Sequence, residues 1–260
     1  MLTSIIGIPL ILICIYCGNI PFYIMMFIIS LLCVQEYLII SKKYNPHTAV
    51  SLVMAAAFFV FLYFFKDLPT NKVAVSAVVM MLVLFGIEVF GENPILCISR
   101  ISSSLLGAFF IPLTLIHIVY IRNLTGGAKL TFFIFIVVWT LDTMAYAFGK
   151  ALGKHKLAKN VSPKKTLEGA AAGIASGVLA AVACRCIFMC NILTLRNAVI
   201  LGLVIAVVGQ FSDLAESLIK RDGSVKDSGK IIPGHGGVFD RFDSYMFAAP
   251  AMYYVLQLLK

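Results

Sequence analysis

Long uncharged apolar runs separated by short polar breaks dominate the chain. Residues 1–35 contain no charged side chain. A hydrocarbon core about 30 Å thick takes about 20 helical residues, so this stretch holds more than one span, and the turn Gly18-Asn19-Ile20-Pro21 divides it. Further runs lie at about 48–65, 73–90, 101–121, 130–149, 167–190, 197–219 and 243–259. Together with 1–17 and 21–40, they predict an all-α integral membrane protein with about nine transmembrane helices. The runs are continuous and do not alternate, which speaks against a membrane barrel. No basic residue precedes the first run and no small-residue cleavage site follows it, so it reads as a retained helix and not as a signal peptide.

The pattern is uneven along the chain. Residues 1–125 are nearly featureless and read as an N-terminal set of about five spans; residues 126–260 form a C-terminal membrane region that carries most of the polar features. Six of the twelve acids fall between Asp213 and Asp243. No internal repeat is visible. Composition agrees with the pattern: hydrophobic residues make up 61% and charged residues 13% of 260, against about 45–50% and 25% in soluble domains. Such a chain has too little polar surface to coat a globule, and the bilayer is its solvent. A cytosolic, nuclear, secreted or disordered protein is excluded.

A net charge of +9 on a soluble protein would suggest nucleic acid. Here it marks cytoplasmic loops and anionic headgroups, and no nucleic-acid partner is expected. With the N-terminus cytoplasmic, Lys42, Lys43, Arg100, the six lysines from Lys150 to Lys165, Lys220, Arg221, Lys226, Lys230 and Arg241 fall inside, which is fourteen of the 21 basic residues. The predicted topology is therefore multi-pass in the cell (inner) membrane, with the polar loops inside and the C-terminus outside. The seven cysteines all lie in apolar stretches without a C-x-x-C pair and read as helix packing.

Three groups carry candidate chemistry. The first is Asp142, Thr143 and Tyr146, an acid with polar neighbours on one face of an otherwise uncharged helix. An intramembrane acid is costly and usually faces a polar cavity. The second is the basic stretch ending Ser162-Pro163-Lys164-Lys165-Thr166-Leu167-Glu168-Gly169. It lacks Walker A spacing, and Ser162-Pro163 reads as an N-cap and first helical residue, placing Lys164 and Lys165 beside free amides that suit phosphate. The third is Asp213, Glu216, Ser217 and Lys220 on one helix face, followed by a glycine-rich loop through His235, Gly236 and Gly237 to Asp240, Arg241 and Asp243. Paired carboxylates without Cys or His partners suit a hard cation such as Mg²⁺. The lysines and arginines beside them fit a phosphate-rich ligand bridging metal and base.

The run Ser217-x-Ile219-Lys220-Arg221-x4-Lys226-Asp227-x-Gly229-x2-Ile232-Pro233-x-His235-Gly236-Gly237-Val238-x-Asp240-Arg241-Phe242-Asp243 resembles the signature of the phosphatidate cytidylyltransferase (CDP-diacylglycerol synthase) family, and the segments around Asp142 and Ser162–Gly169 are similar to its second conserved region. The resemblance covers about 139–243 and looks like the bacterial form. It implies transfer of a cytidylyl group from CTP to phosphatidic acid, giving CDP-diacylglycerol and pyrophosphate. It also implies an all-helical enzyme acting as a homodimer with Mg²⁺, a monovalent cation such as K⁺ beside it, and metal held by Asp213 and Asp240 with Asp243 close by. Lys220 and Arg241 then join these acids in catalysis, while Ser162, Lys164, Lys165, Thr166, His235, Gly236 and Gly237 receive the nucleotide.

A CTP-dependent polyprenol or dolichol kinase is the nearest alternative. It acts on an alcohol and needs a base, and the complete His235–Asp243 tail speaks against it. An ion or phosphate transporter also buries acids, but more often shows a repeat and broken helices.

Overall fold

The computed structural model describes residues 2–65, 70–91, 94–229 and 236–259. Each predicted apolar run is a helix. In order they are α1 (Leu2–Cys17), α2 (Asn19–Ile40), α3 (Thr48–Phe64), α4 (Thr70–Val89), a rod made of α5 (Cys97–Leu105), a π turn (Leu106–Phe110) and α6 (Ile111–Arg122), then α7 (Gly127–Leu152), α8 (Leu167–Phe188), α9 (Leu195–Asp222) and α10 (Phe239–Leu258). Among the described residues, six helices are long and apolar enough to cross a membrane: Asn19–Tyr44, Lys72–Val89, Cys97–Arg122, Gly127–Leu152, Leu167–Phe188 and Leu195–Asp222. Thr48–Phe64 is apolar but shorter, and α10 opens on Asp240, Arg241 and Asp243. The molecule is thus an all-α, multi-pass membrane protein.

The core follows from helical spacing. On α2 the buried positions Phe22, Met26, Ser30, Cys33 and Tyr37 recur every three or four residues, while Ile20, Ile24, Ile28 and Ile39 face outward as lipid contacts. In lipid, helices associate through close packing and polar contacts, because leaving the hydrocarbon gains nothing. The small residues Gly169, Gly173 and Gly177 of α8 provide that closeness: a Cβ at Gly169 would come 2.6 Å from the Ala145 carbonyl of α7, and one at Gly177 would come 3.1 Å from Ala206 of α9. The C-terminal half is therefore a tight α7–α8–α9–α10 group.

Contacts between distant segments define the two ends of the bundle. At one end, Arg122 Nε donates to the Ile15 carbonyl (2.7 Å), closing the end of α1. At the other, Lys43 meets Asp222 (2.8 Å) and Tyr44 donates to the same carboxylate (2.9 Å). The 22-residue α2 separates these ends by about 33 Å. Arg221 Nε also donates to the Val161 carbonyl (3.1 Å), which brings the 153–166 loop to the Lys43 end. His47, just before α3, and Arg100 of α5 each lie 2.6 Å from the Glu88 carboxylate of α4, so those three helix ends lie together.

One expected element is corrected. Ser162-Pro163 does not begin a helix. Ser162–Thr166 is a strand, β2, paired antiparallel with β1 (Lys156–Ala158) across an irregular register. The helix starts at Leu167, with Thr166 as its N-cap accepting from Gly169 N (3.2 Å). A ribbon of two strands leaves an open edge on each side, so Pro163 has a place to put its missing donor. Glu168 accepts from the backbone of Lys154 and His155 and pairs with His155 Nδ1 (2.6 Å), which ties the hairpin to the first turn of α8.

Candidate active site

Two helices build the acidic centre. On α9 the spacing predicted from the sequence holds: Ser212, Glu216 and Ser217 are buried, and Asp213 and Lys220 lie along the same side. The first turn of α10 packs against this stripe. Ser212 Oγ donates to the Asp243 carbonyl and accepts from Phe247 N (3.3 Å), fastening the two helices at that level. One carboxylate oxygen from each of Asp213, Glu216 and Asp243 then lies within 4.8 Å of the others. Glu216 is fully buried, and among the described residues neither of its oxygens accepts a hydrogen bond of good geometry, although Lys220 Nζ stands 2.6 Å away.

Asp240 occupies a neighbouring position with different partners. Its Oδ1 accepts from Lys220 Nζ (2.6 Å), and its Oδ2 accepts from Ser228 N, Ser228 Oγ and Gly237 N (each 2.9 Å). Lys220 therefore sits as an internal cation between Glu216 and Asp240. The expected trio Asp213, Asp240 and Asp243 is not the one that converges; Glu216 takes the third place, and Asp240 holds Lys220 and the signature loop. The cause is the side on which each carboxylate leaves the first turn of α10, which i, i+3 spacing does not by itself decide.

A cavity of about 590 Å³ opens beside this centre between α7, α8, α9 and the hairpin. Asp142 and Tyr146 of α7, Ser162, Lys164, Lys165 and Thr166 of the hairpin, and Gln210 and Asp213 of α9 line it, with Lys150 and Lys156 at the rim. Asp142 thus faces the polar cavity that its place in an uncharged helix predicted. Lys164 is exposed at the cavity, and Lys165 is half-buried and ion-paired with Asp213. Gln210 Nε2 donates to the Ala170 carbonyl (2.9 Å) and holds α9 against α8 at the cavity floor. The volume suits a nucleotide-sized ligand.

The remaining expected residues are placed as follows. Gly236 has φ +81°, and a Cβ there would stand 2.7 Å from Asp240 Oδ2. At Gly237 a Cβ would collide with Ser228 Oγ and Glu36 Oε2. These glycines make room for the protein's own carboxylates, where close approach to a ligand was expected. Arg241 is exposed on the first turn of α10. His235 lies outside the described residues. Sequence reasoning missed Glu36 on α2, which is buried against Ser228, Val238 and Phe239. Its signal was present: it is the first charge after 35 uncharged residues, within a predicted span.

A family model described as the cytidylyltransferase family matches residues 1–259. The chain is 32% identical over 264 residues to a phosphatidate cytidylyltransferase of Bacillus subtilis (strain 168), covering 99% of this chain and 97% of the relative. It is 43% identical over 138 residues to the protein of the same name from Synechocystis sp., covering 53% of this chain and 46% of the relative. A phosphatidate cytidylyltransferase of Staphylococcus epidermidis is 43% identical over 126 residues, 48% of each chain.

Proposed function

The chain belongs to the cytidylyltransferase family, and from that premise we propose how its residues transfer a cytidylyl group from CTP to phosphatidic acid. The reaction gives CDP-diacylglycerol and pyrophosphate, a step of phospholipid synthesis, and makes the protein a nucleotidyltransferase. The observation that carries the assignment of the site is the meeting of a lysine-rimmed cavity with the Asp213–Glu216–Asp243 cluster at Asp213, which belongs to both.

The donor set fits a divalent cation. Three carboxylates converge, and the buried Glu216 has only a lysine contact to offset its charge among the described residues. Hard oxygen ligands of this kind suit Mg²⁺. We assign it to Asp213, Glu216 and Asp243, with Asp240 one step behind through Lys220. When bound, Mg²⁺ supplies charge neutralisation at the triphosphate. A monovalent cation beside it, and association as a homodimer, are parts of the same reading that the family resemblance supports.

The protein's own groups supply the rest. The attacking atom is a phosphate oxygen of the lipid, already anionic near neutral pH, so no strong general base is needed. The residues position the reactants and offset developing charge. Lys164 and Lys165 in the hairpin, with Ser162 and Thr166, receive the CTP phosphates in the cavity. Lys220 and Arg241 face the leaving pyrophosphate. The spans admit the diacyl tails laterally. The reading is tested by incubating the purified protein in detergent with labelled CTP, Mg²⁺ and phosphatidic acid: a labelled lipid and released pyrophosphate are expected. Transfer of phosphate to a polyprenol in place of this product would support the kinase reading instead.

CTP is a cytoplasmic metabolite, so we place the Lys43–Asp222 end of the bundle, with the hairpin and Ser224, on the cytoplasmic side of the cell membrane, and Arg122 on the outer side. Clustering of basic residues at that end supports this. The helices α7, α8 and α9 separate Thr125 from Ser224, an odd number of crossings. With the native cysteines replaced, Thr125→Cys should react with an impermeant maleimide in intact cells and Ser224→Cys only in inverted vesicles. Labelling of Ser224→Cys from outside would overturn the orientation.

A further inference from the structure

Glu36 belongs to the N-terminal half, yet among the described residues its carboxylate accepts from the C-terminal half. The residue is 1% exposed. Its Oε1 accepts from Val238 N (3.0 Å), and its Oε2 accepts from Phe239 N (2.8 Å) and Ser228 Oγ (2.8 Å). Those two amides are first-turn donors of α10, for which Val238 supplies no side-chain cap. Glu36 therefore caps α10 from a different helix, about 200 residues away in sequence. A carboxylate at a helix N-terminus also meets the positive end of the helix dipole.

The contacts continue into the reaction centre. Ser228 Oγ lies 2.9 Å from Asp240 Oδ2, Asp240 Oδ1 receives Lys220 at 2.6 Å, and Lys220 stands 2.6 Å from Glu216. Ser228 has one hydroxyl proton facing two carboxylates, and its backbone N–H adds a second donor to Asp240. The loop is shaped around this arrangement: a Cβ at Gly229 or Gly237 would collide with the Glu36 carboxylate. Packing alone would need only an apolar side chain of similar size. Two backbone N–H donors aimed at one carboxylate, with a hydroxyl shared with Asp240 beside them, call for an acceptor.

We propose that Glu36 is a positioning residue for cytidylyl transfer, setting the angle at which the first turn of α10 presents Asp240 and Asp243 and pinning the signature loop at Ser228. The proposal rests on the reading of the Asp213–Asp243 cluster as the reaction centre. Glu36 touches neither substrate; it acts through Ser228, Asp240 and Lys220. This role also gives the N-terminal spans a part in catalysis, beyond anchoring the enzyme in lipid. Because none of the described residues lining the cavity belongs to the Glu36 network, loss of Glu36 should lower kcat and leave the KM for CTP nearly unchanged.

The test compares Glu36→Gln, Glu36→Ala and Asp213→Asn in detergent, with rates expressed per folded molecule and thermal unfolding followed in parallel. Glu36→Gln keeps one acceptor but turns an amide N–H₂ toward a donor, so kcat should fall about tenfold, equivalent to about 1.4 kcal/mol. Glu36→Ala removes all three acceptor contacts and should lose about a hundredfold, with the KM for CTP within about twofold of wild type. If Glu36→Ala does not fold, the kcat of Glu36→Gln decides between the two roles by itself. Should the Glu36 variants keep wild-type kcat per folded molecule while Asp213→Asn is inactive, Glu36 is only structural and the proposal falls. An active Asp213→Asn would instead overturn the assignment of the reaction centre.

Discussion

Asp213→Asn should lower kcat by about a thousandfold or more, which corresponds to about 4 kcal/mol of lost transition-state stabilisation, while the protein remains folded and extractable. Asp213 is where the lysine-lined cavity and the carboxylate cluster meet. Its charge is shared between Lys165 and the position proposed for Mg²⁺. Asparagine keeps the size and loses the charge, so the helix packing around it should tolerate the change. Glu216→Gln and Asp243→Asn should lose activity alike, because each removes the charge of one of three convergent carboxylates, and Glu216→Gln should also lose stability because it breaks the buried pair with Lys220. Removing the metal with EDTA should silence the wild type, and Mg²⁺ should restore it. Activity above a tenth of wild type in Asp213→Asn at saturating Mg²⁺ would sink the metal assignment.

Asp240→Asn should also lose activity by about a hundredfold or more, but with a different signature. In the native arrangement the two oxygens divide their work, one for Lys220 and the other for three donors from Ser228 and Gly237. Asparagine has one oxygen. Its N–H₂ must face either the lysine ammonium or the cluster of N–H and O–H donors, and both orientations are repulsive. Removing one partner of a buried ion pair typically costs about 3–5 kcal/mol, so the melting temperature should fall together with activity. Asp213, a quarter exposed at its side chain, should show loss of activity with little loss of stability. Thermal unfolding measured beside kcat distinguishes the two variants. Equal stability of Asp240→Asn and wild type would show that Lys220 finds another partner and that Asp240 does not hold the loop.

Much of this protein was legible in its sequence, for physical reasons that are local. Hydrocarbon has no water to satisfy backbone groups, so each apolar run had to be a helix, and each is. The stripe Asp213–Glu216–Ser217–Lys220 could be placed on one face because helical periodicity relates residues within a few turns. An acid at Asp142 among uncharged neighbours implied a polar cavity, because burying it in lipid is too costly. The signature from Ser217 to Asp243 resembled a family that the comparison of the whole chain then established.

Tertiary structure decided what depended on packing between helices. The start of α8 shifted from Ser162 to Leu167 because residues 156–158 were available to pair with 162–166, a competition invisible to N-cap spacing. Glu216 joined Asp213 and Asp243, and Asp240 turned to Lys220, because the crossing of α9 and α10 fixes which carboxylates converge; spacing along one helix only says which could. Glu36 entered the site because α2 packs beside α10 and brings its carboxylate to that helix's free amides. Sequence periodicity determines the face that a residue occupies, and the packing of one helix on another determines what that face meets.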